Sequence, residues 1–490
     1  MNLCLINNSF RYETEKLIRI FLPFEKIIFL DKREITDLTA VTEIVTDGDA
    51  SYALGELYIN GEFYEKKAEI DNNSTNIKKE QELKLALCLY DCFSRALNYN
   101  SQWGILTGIR PAKLFSRLAR VDGVSQTEEY FKKSLLVSDK KINLCKEAIA
   151  GEDKIISLSK PNSFSLYISI PFCPTRCSYC SFVSHSVQQA KKLMPDYVKL
   201  LCEEIKVTAQ IAKNIGLKLE TVYIGGGTPT SISAEYLTQI MNTVKENFDL
   251  SDILEYTVEA GRPDTITEDK LIAIKKGLAT RISINPQTMN DSVLNAIGRR
   301  HNSSQTVDAF LLARKLGFDN INMDLIAGLP TDTLESFKDT VNKVISLDPE
   351  SVTVHSLSMK RSSTLTKNGD FPEIKAGKTA SDMVDYAYGQ LSNKKIVPYY
   401  MYRQSKTVGN LENVGYSKNG FECLYNVYIM DETHSILACG ASAVTKLRQP
   451  DGDYIERIFN YKYPYEYISR FQEILARKEG VVQFYDKFFT

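Results

Sequence analysis

Three cysteines stand within eight residues in Ser169-Ile-Pro-Phe-Cys-Pro-Thr-Arg-Cys-Ser-Tyr-Cys-Ser-Phe182, at positions 173, 177 and 180. A CxxxCxxC triplet offers three thiolates, enough for three irons of a [4Fe-4S] cube, with the fourth iron left open to a ligand. Electron-transfer clusters take four cysteines, and closed zinc sites take four nitrogen or sulfur ligands. His185 follows Cys180 closely enough to complete a Cys3His zinc site, so zinc stays open on spacing alone. Pro174 and Arg176 make the segment a turn, which argues against three merely buried thiols.

More chemistry-bearing residues follow at regular intervals. Tyr223-Ile-Gly-Gly-Gly-Thr-Pro-Thr230 exposes backbone amides and carbonyls where a ligand could approach closely, which suits the amino end of an amino-acid-like cofactor. Glu259 closes an apolar run and opens Ala260-Gly-Arg-Pro-Asp264. Gln287 ends Ser283-Ile-Asn-Pro-Gln, Arg299 and His301 lie beyond the next helix, and Asp324 stands in Asn322-Met-Asp-Leu-Ile-Ala-Gly328.

These residues need a scaffold that delivers one polar group per strand end. From about residue 160 to 358 the pattern alternates apolar strands with amphipathic helices. Strands are expected at Ser165 to Ile170, Thr221 to Ile224, Glu255 to Glu259, Arg281 to Ile284, Asn320 to Leu325 and Ser351 to Leu357. Six β/α steps imply a parallel sheet, too few for a complete eight-stranded barrel. The expected class is therefore α/β, an open partial (β/α)6 barrel with its chemistry at the carboxyl ends of the strands. Residues 1–155 read as a separate small α/β domain, with a hairpin at Asn60-Gly61, a helix over Gln81 to Leu97 and another opening at Pro111. Residues 359–490 read as an α+β extension covering the substrate, with strands at Val397 to Tyr402, Cys423 to Met430 and Ser435 to Cys439 and a helix over Pro464 to Glu479.

Composition narrows the class. Lys plus Arg (60) against Asp plus Glu (61) gives a net charge of −1, so no chain-wide field attracts nucleic acid. No apolar run is long enough for a membrane span and no secretory leader opens the chain, so a cytoplasmic location is expected, where ten scattered cysteines stay reduced.

The order of Cys173-Pro-Thr-Arg-Cys177-Ser-Tyr-Cys180, the GGGTPT turn, Glu259, Gln287 and the Asp324-Leu-Ile-Ala-Gly-Leu-Pro330 strand resembles the radical S-adenosylmethionine (SAM) superfamily. Within it, residues 160 to 445 are similar to the oxygen-independent coproporphyrinogen III dehydrogenases. The Thr107-Gly-Ile-Arg-Pro-Ala-Lys-Leu114 turn and the Pro398–Tyr416 region resemble the HemZ-type branch. The resemblance implies a [4Fe-4S] cluster on Cys173, Cys177 and Cys180, with SAM on the open iron. It implies Tyr179 against the adenine, and Gly226, Gly227 and Thr228 at the methionine end. Glu259, Gln287, Arg299 and Asp324 would hold the SAM carboxylate and ribose, with Tyr167 near the cluster and Gly440-Ala441 at the substrate end. Tyr167, Gln287 and Asp324 are the residues it puts closest to the chemistry. The implied activity is oxidative decarboxylation of two propionates, with a tetrapyrrole as substrate and a reductant protein as partner. Arg176, Arg262, Lys360, Arg361, Arg403 and Lys406 are candidate cations for its carboxylates. Some members carry a further cysteine two residues past the third. Ser181-Phe182 stands here instead, as in relatives that bind and deliver heme, so a heme chaperone is the alternative, and an enzyme acting on heme a third.

Overall fold

The computed structural model describes residues 1–182, 184–360, 363–365 and 374–489. The described chain gathers into two compact units: Met1–Lys146 with Phe371–Ser381 and Tyr402–Glu412, and Glu147–Asp370 with Asp382–Met401 and Asn413–Thr490.

In the first unit, β1 (Asn2–Ile6), α1 (Arg11–Phe21), β2 (Ile28–Leu30), β3 (Leu38–Asp47), β4 (Ala50–Ile59) and β5 (Glu62–Ile70) build a sheet in the order β2-β1-β3-β4-β5. Asn60 and Gly61 both take positive φ, 54° and 77°, which lets two residues turn β4 back onto β5. Helix α2 (Ile77–Leu97) is capped by Asn76 and lies close on β4 at Gly55, where a Cβ would stand 2.8 Å from the Cys88 backbone. Pro111 opens α3 (Pro111–Asp122), as its fixed φ favours. Helix α4 (Val124–Glu129) follows, and the division between the units at Lys146 falls within α5 (Asp139–Ile156).

The second unit holds the site. Strand β6 (Ser163–Ile170) is buried along nearly its whole length, as a strand covered on both faces must be. After it come the short pair β7 (Phe172–Cys173) and β8 (His185–Ser186), then α6 (Val187–Ala190) and α7 (Met194–Asn214). The alternation continues through β9 (Lys218–Gly226), α8 (Ala234–Asn247), β10 (Glu255–Glu259), α9 (Glu268–Lys276), β11 (Arg281–Ser283), α10 (Asp291–Ala296), α11 (Ser303–Lys315), β12 (Ile321–Ala327), α12 (Leu334–Ser346) and β13 (Ser351–Ser356). Strands β6, β9, β10, β11, β12 and β13 are neighbours in chain order, all parallel, which is the (β/α)6 array expected from the pattern. Beyond β13 the sheet continues through β15 (Glu412–Ser417), antiparallel, to β14 (Val397–Arg403). At the other end β16 (Ser435–Cys439) adds parallel to β6, and β17 (Val444–Arg448) and β18 (Ile455–Phe459) close the sheet antiparallel.

One expected strand is a helix. Residues Leu424–Asp431 are helical, because the Glu255 carboxylate at the start of β10 accepts from the Leu424 backbone N–H at 2.7 Å and from that of Tyr425 at 3.4 Å, satisfying the first turn. Apolar side chains around most of this short helix erase the periodicity that would have identified it. The helix expected over Pro464 to Glu479 is two, Pro464–Ser469 and Phe471–Phe489.

Candidate radical site at the strand ends

Because β6 and its neighbours run parallel, their carboxyl ends share one edge, and the cysteine loop leaves from that edge. The loop is closed at its base by the β7–β8 pair and by His185 N–H donating to the Pro171 carbonyl at 2.9 Å. It is tied across the edge by Ser178 N–H to Ile297 O (3.0 Å) and by Thr175 Oγ1 to Gly298 O (3.1 Å). Cys177 is buried, whereas Cys173 and Cys180 are partly exposed. Burial raises the Cys173 thiol and pushes Cys180 up to about 11, so ligation requires a metal to displace their protons. A buried guanidinium, Arg262, reaches Cys177 Sγ at 3.8 Å.

The His185 ring turns edge-on to Tyr463 and Tyr465, and among the described residues no three His, Cys, Asp or Glu side chains converge as one ion would need. Three thiols on one loop fit a cube instead, since its ligands bind separate irons.

The glycine turn fastens this loop. Gly227 N–H donates to Ile170 O and Thr228 N–H to Phe172 O, each at 2.8 Å, and Thr228 Oγ1 donates to Cys173 Sγ at 3.4 Å. A Cβ on Gly227 would lie 2.7 Å from Phe172 O and 3.0 Å from Cys173 Sγ. Gly227→Ala is therefore expected to lower stability by roughly 1–3 kcal/mol through overpacking and to reduce iron bound per chain after reconstitution. Wild-type iron content in the variant would show that the close approach does not matter.

Glu259 ends β10 and accepts a hydrogen bond from Tyr223 OH; burial, with Asp324 nearby, pushes its carboxyl up to about 7. Tyr223 sits in a stack with Tyr425, ring centroids 4.5 Å apart, and Tyr167 stands 6.3 Å from Tyr223. Gln287 holds a positive φ of 69°, donates its N–H to Asp324 O at 2.9 Å and accepts from Ile326 N–H at 3.0 Å. Asp324 accepts from Asn322 Nδ2 at 2.7 Å and faces His355 Nε2 at 3.8 Å. Burial alone would raise Asp324 and lower His355; their mutual contact outweighs it in both, holding the carboxyl low and the imidazole high. Arg299 donates to Asn285 O at 2.7 Å and to Tyr179 OH at 3.2 Å.

The Gly440-Ala441 turn comes off β16 against the end of β6. Gly440 N–H donates to Glu204 Oε2 at 2.7 Å, and Ala441 N–H donates to Tyr197 OH at 2.9 Å. Tyr197 OH in turn donates to Ser169 O at 2.8 Å. Both amides of the turn are thus committed inside the protein.

The expected cations divide. Arg262 is buried and forked onto Asp264, at 2.9 and 2.7 Å, and so is no mouth-lining cation. Arg403 and Lys406 belong to the first unit, where the Arg403 guanidinium donates to Leu106 O (2.7 Å) and Asn410 O (3.0 Å). Arg176 is exposed on the cysteine loop, and Lys360 follows β13, half-buried. Arg361 lies outside the described residues. The contacts of Arg262 with Cys177, His355 with Asp324 and Tyr223 with Glu259 went unread in the sequence. The only signal for them was position, each side chain standing on or just past a strand already expected.

Residues 167–344 match the radical SAM superfamily domain. The chain is 40% identical over 382 residues, 77% of its length and 76% of the relative's, to the oxygen-independent coproporphyrinogen-III oxidase-like protein HemZ of Bacillus subtilis. It is 30% identical over 307 residues to the heme chaperone HemW of Haemophilus influenzae, covering 62% of this chain and 75% of that one. Coproporphyrinogen III oxidase (HemN) from Escherichia coli has a similar fold, with TM-score 0.51 and 22% identity over 65% of this chain and 71% of that one. The thiol triplet at the open end of a parallel (β/α)6 array and these likenesses agree: the chain belongs to the radical SAM superfamily and, within it, to the oxygen-independent coproporphyrinogen III oxidase family in its HemZ-type branch.

Proposed function

We propose that this chain oxidatively decarboxylates two propionates of coproporphyrinogen III to vinyls, giving protoporphyrinogen IX. The observation that carries the reading is the thiol triplet, the glycine turn and the Glu259 and Asp324 carboxylates on parallel strands of one array, in a chain 40% identical to a HemZ-type relative. Radical SAM proteins use a [4Fe-4S] cluster and SAM, which when bound supply a 5'-deoxyadenosyl radical able to take hydrogen from a propionate β-carbon.

The protein's share is holding and orienting. Cys173, Cys177 and Cys180 would ligate three irons. Gly226, Gly227 and Thr228 would meet the methionine end; with the Gly227 and Thr228 amides already donated, carbonyl oxygens of the turn would receive its amino group. Tyr179 would lie along the adenine, and Glu259, Gln287, Arg299 and Asp324 would hold carboxylate and ribose. Tyr167 would stand near the cluster, and Gly440-Ala441 would shape the substrate end. Lys360 suits a propionate, because it is half-buried with no acid paired to it among the described residues, so an incoming carboxylate would offset the burial that disfavours its charge. Each propionate would lose its β-hydrogen, carbon dioxide and one further electron. A protein reductant of low potential would prime each round, and the cytoplasm would keep the thiols reduced.

A second reading, a heme chaperone, is favoured by Ser181-Phe182 and by the HemW relative. Its axial ligand would fall to His185 or His355, since His301 and His434 are buried. Anaerobic turnover with coproporphyrinogen and SAM separates the readings. The expected result is a divinyl product with two methionines released per porphyrin. Stoichiometric heme binding without decarboxylation would establish the chaperone, and SAM-dependent loss of added heme would establish an enzyme that opens the macrocycle.

A further inference from the structure

The wall behind Cys177 is charged, which the ligand triplet alone does not require. Arg262 is 3% exposed and all three of its nitrogens are engaged. Nε and Nη2 fork onto the two oxygens of Asp264; Nη1 donates to Thr175 Oγ1 at 3.0 Å and reaches Cys177 Sγ at 3.8 Å. A second buried guanidinium, Arg299, donates to Tyr179 OH and also acts on Cys177, a background that substitution at Arg262 or Asp264 leaves in place. His301 lies against the same carboxylate, its Nδ1 3.8 Å from Asp264 Oδ1; burial pushes it down to about 4, so it is neutral at pH 7, and Arg176, next to Cys177 in the chain, is on the exposed side of the loop. Two cations and one carboxylate therefore leave net positive charge on the inner side of the loop.

We propose that Arg262 tunes the reduction potential of the cluster through the Cys177 sulfur, with Asp264 as its counter-charge. The proposal rests on Cys177 being a ligand. Three thiolates on an oxidised [4Fe-4S] core carry one net negative charge, and the incoming electron makes it two. An N–H donor and positive charge at a ligand sulfur favour the more negative state and raise the potential. Asp264 opposes part of that charge while its fork fixes the direction of Nη1. Arg262 is thus a positioning and electrostatic residue acting through a ligand, and the two members of the pair predict opposite effects: removing the Arg262 cation makes the cluster harder to reduce, removing the Asp264 carboxylate makes it easier.

The test is an EPR-monitored redox titration of the reconstituted full chain as wild type, Arg262→Gln and Asp264→Asn, with iron and sulfide measured on each. The expected result is a midpoint more negative than wild type for Arg262→Gln and more positive for Asp264→Asn. Unmoved midpoints, or a shift of both in the same direction as general loosening of the loop would give, overturn the proposal. Should Arg262→Gln fail to hold a cluster, Asp264→Asn decides alone by the sign of its shift, no shift counting against. Failure of the underlying ligand reading looks different: a Cys177→Ala chain would then keep its full iron and sulfide.

Discussion

Cys177→Ala is expected to abolish the brown chromophore of the reconstituted protein, bring iron and sulfide to background and end SAM cleavage. Cys177 is the most enclosed of the three cysteines, 8% exposed, on a loop pinned by the Ser178 amide to Ile297 O and by the Thr175 hydroxyl to Gly298 O. Its nearest described partner offers no substitute: the Cys177 thiol faces Arg262, a donor with no lone pair to offer a metal, and the Asp264 carboxylate behind it is held in the Arg262 fork. Two remaining thiolates leave two irons without protein ligands, too few to keep a cube. Cys88→Ala is the control, because Cys88 packs beneath β4, its thiol pushed up to about 11 by burial, and the iron should not change. Unchanged iron and sulfide in Cys177→Ala would refute the ligand assignment.

Glu204→Ala is expected to cost about 3–5 kcal/mol of stability, read as a lower denaturant midpoint. Glu204 on α7 has no exposed side-chain surface and gathers Lys478 Nζ at 2.9 Å, Tyr467 OH at 2.6 Å, Asn460 Nδ2 at 2.8 Å and the Gly440 amide at 2.7 Å. Burial alone would lower Lys478; the Glu204 charge outweighs it and keeps the ammonium protonated. Removing the carboxylate strands that ammonium where, among the described residues, Ala438 O at 2.5 Å is the hydrogen-bond partner left to it. The paired variant Glu204→Leu with Lys478→Met should recover much of the loss, since the cost lies in the orphaned charge. If Glu204→Ala unfolds at the wild-type midpoint, the hub is not holding the turn.

What the sequence made legible was local. The cysteine spacing, the glycine turn and six apolar strands at regular intervals are read within a few residues each, and β6 and β9 through β13 stand close to where those runs place them. The Asn60-Gly61 hairpin is legible for the same reason. Long-range choices were not. Whether Arg262 faces a carboxylate of substrate or Asp264 and Cys177 depends on how the loop after β10 meets the cysteine loop, 85 positions away. The helix Leu424–Asp431 was misread because its stability comes from Glu255, 169 positions earlier, and not from its own pattern. Arg403 likewise resembles a substrate cation until backbone carbonyls of Leu106 and Asn410 claim it.

The seating of β16 beside β6 has a consequence for how the molecule is made. Ser165 on β6 meets His434, at the threshold of β16, across 269 positions of chain. At 5–20 residues per second the ribosome needs on the order of tens of seconds to bridge that gap. Once β9 has emerged, the strand that leads into the cysteines has β9 on one flank and, until β16 is made, a bare hydrogen-bonding edge on the other. Nascent chains stalled before Ser435 should therefore be the aggregation-prone species, read as the insoluble fraction of stalled complexes. The ties of the cysteine loop itself, to the glycine turn, Ile297 and Gly298, come from earlier chain, so it is the edge of β6 and not the metal loop that waits for the end of translation.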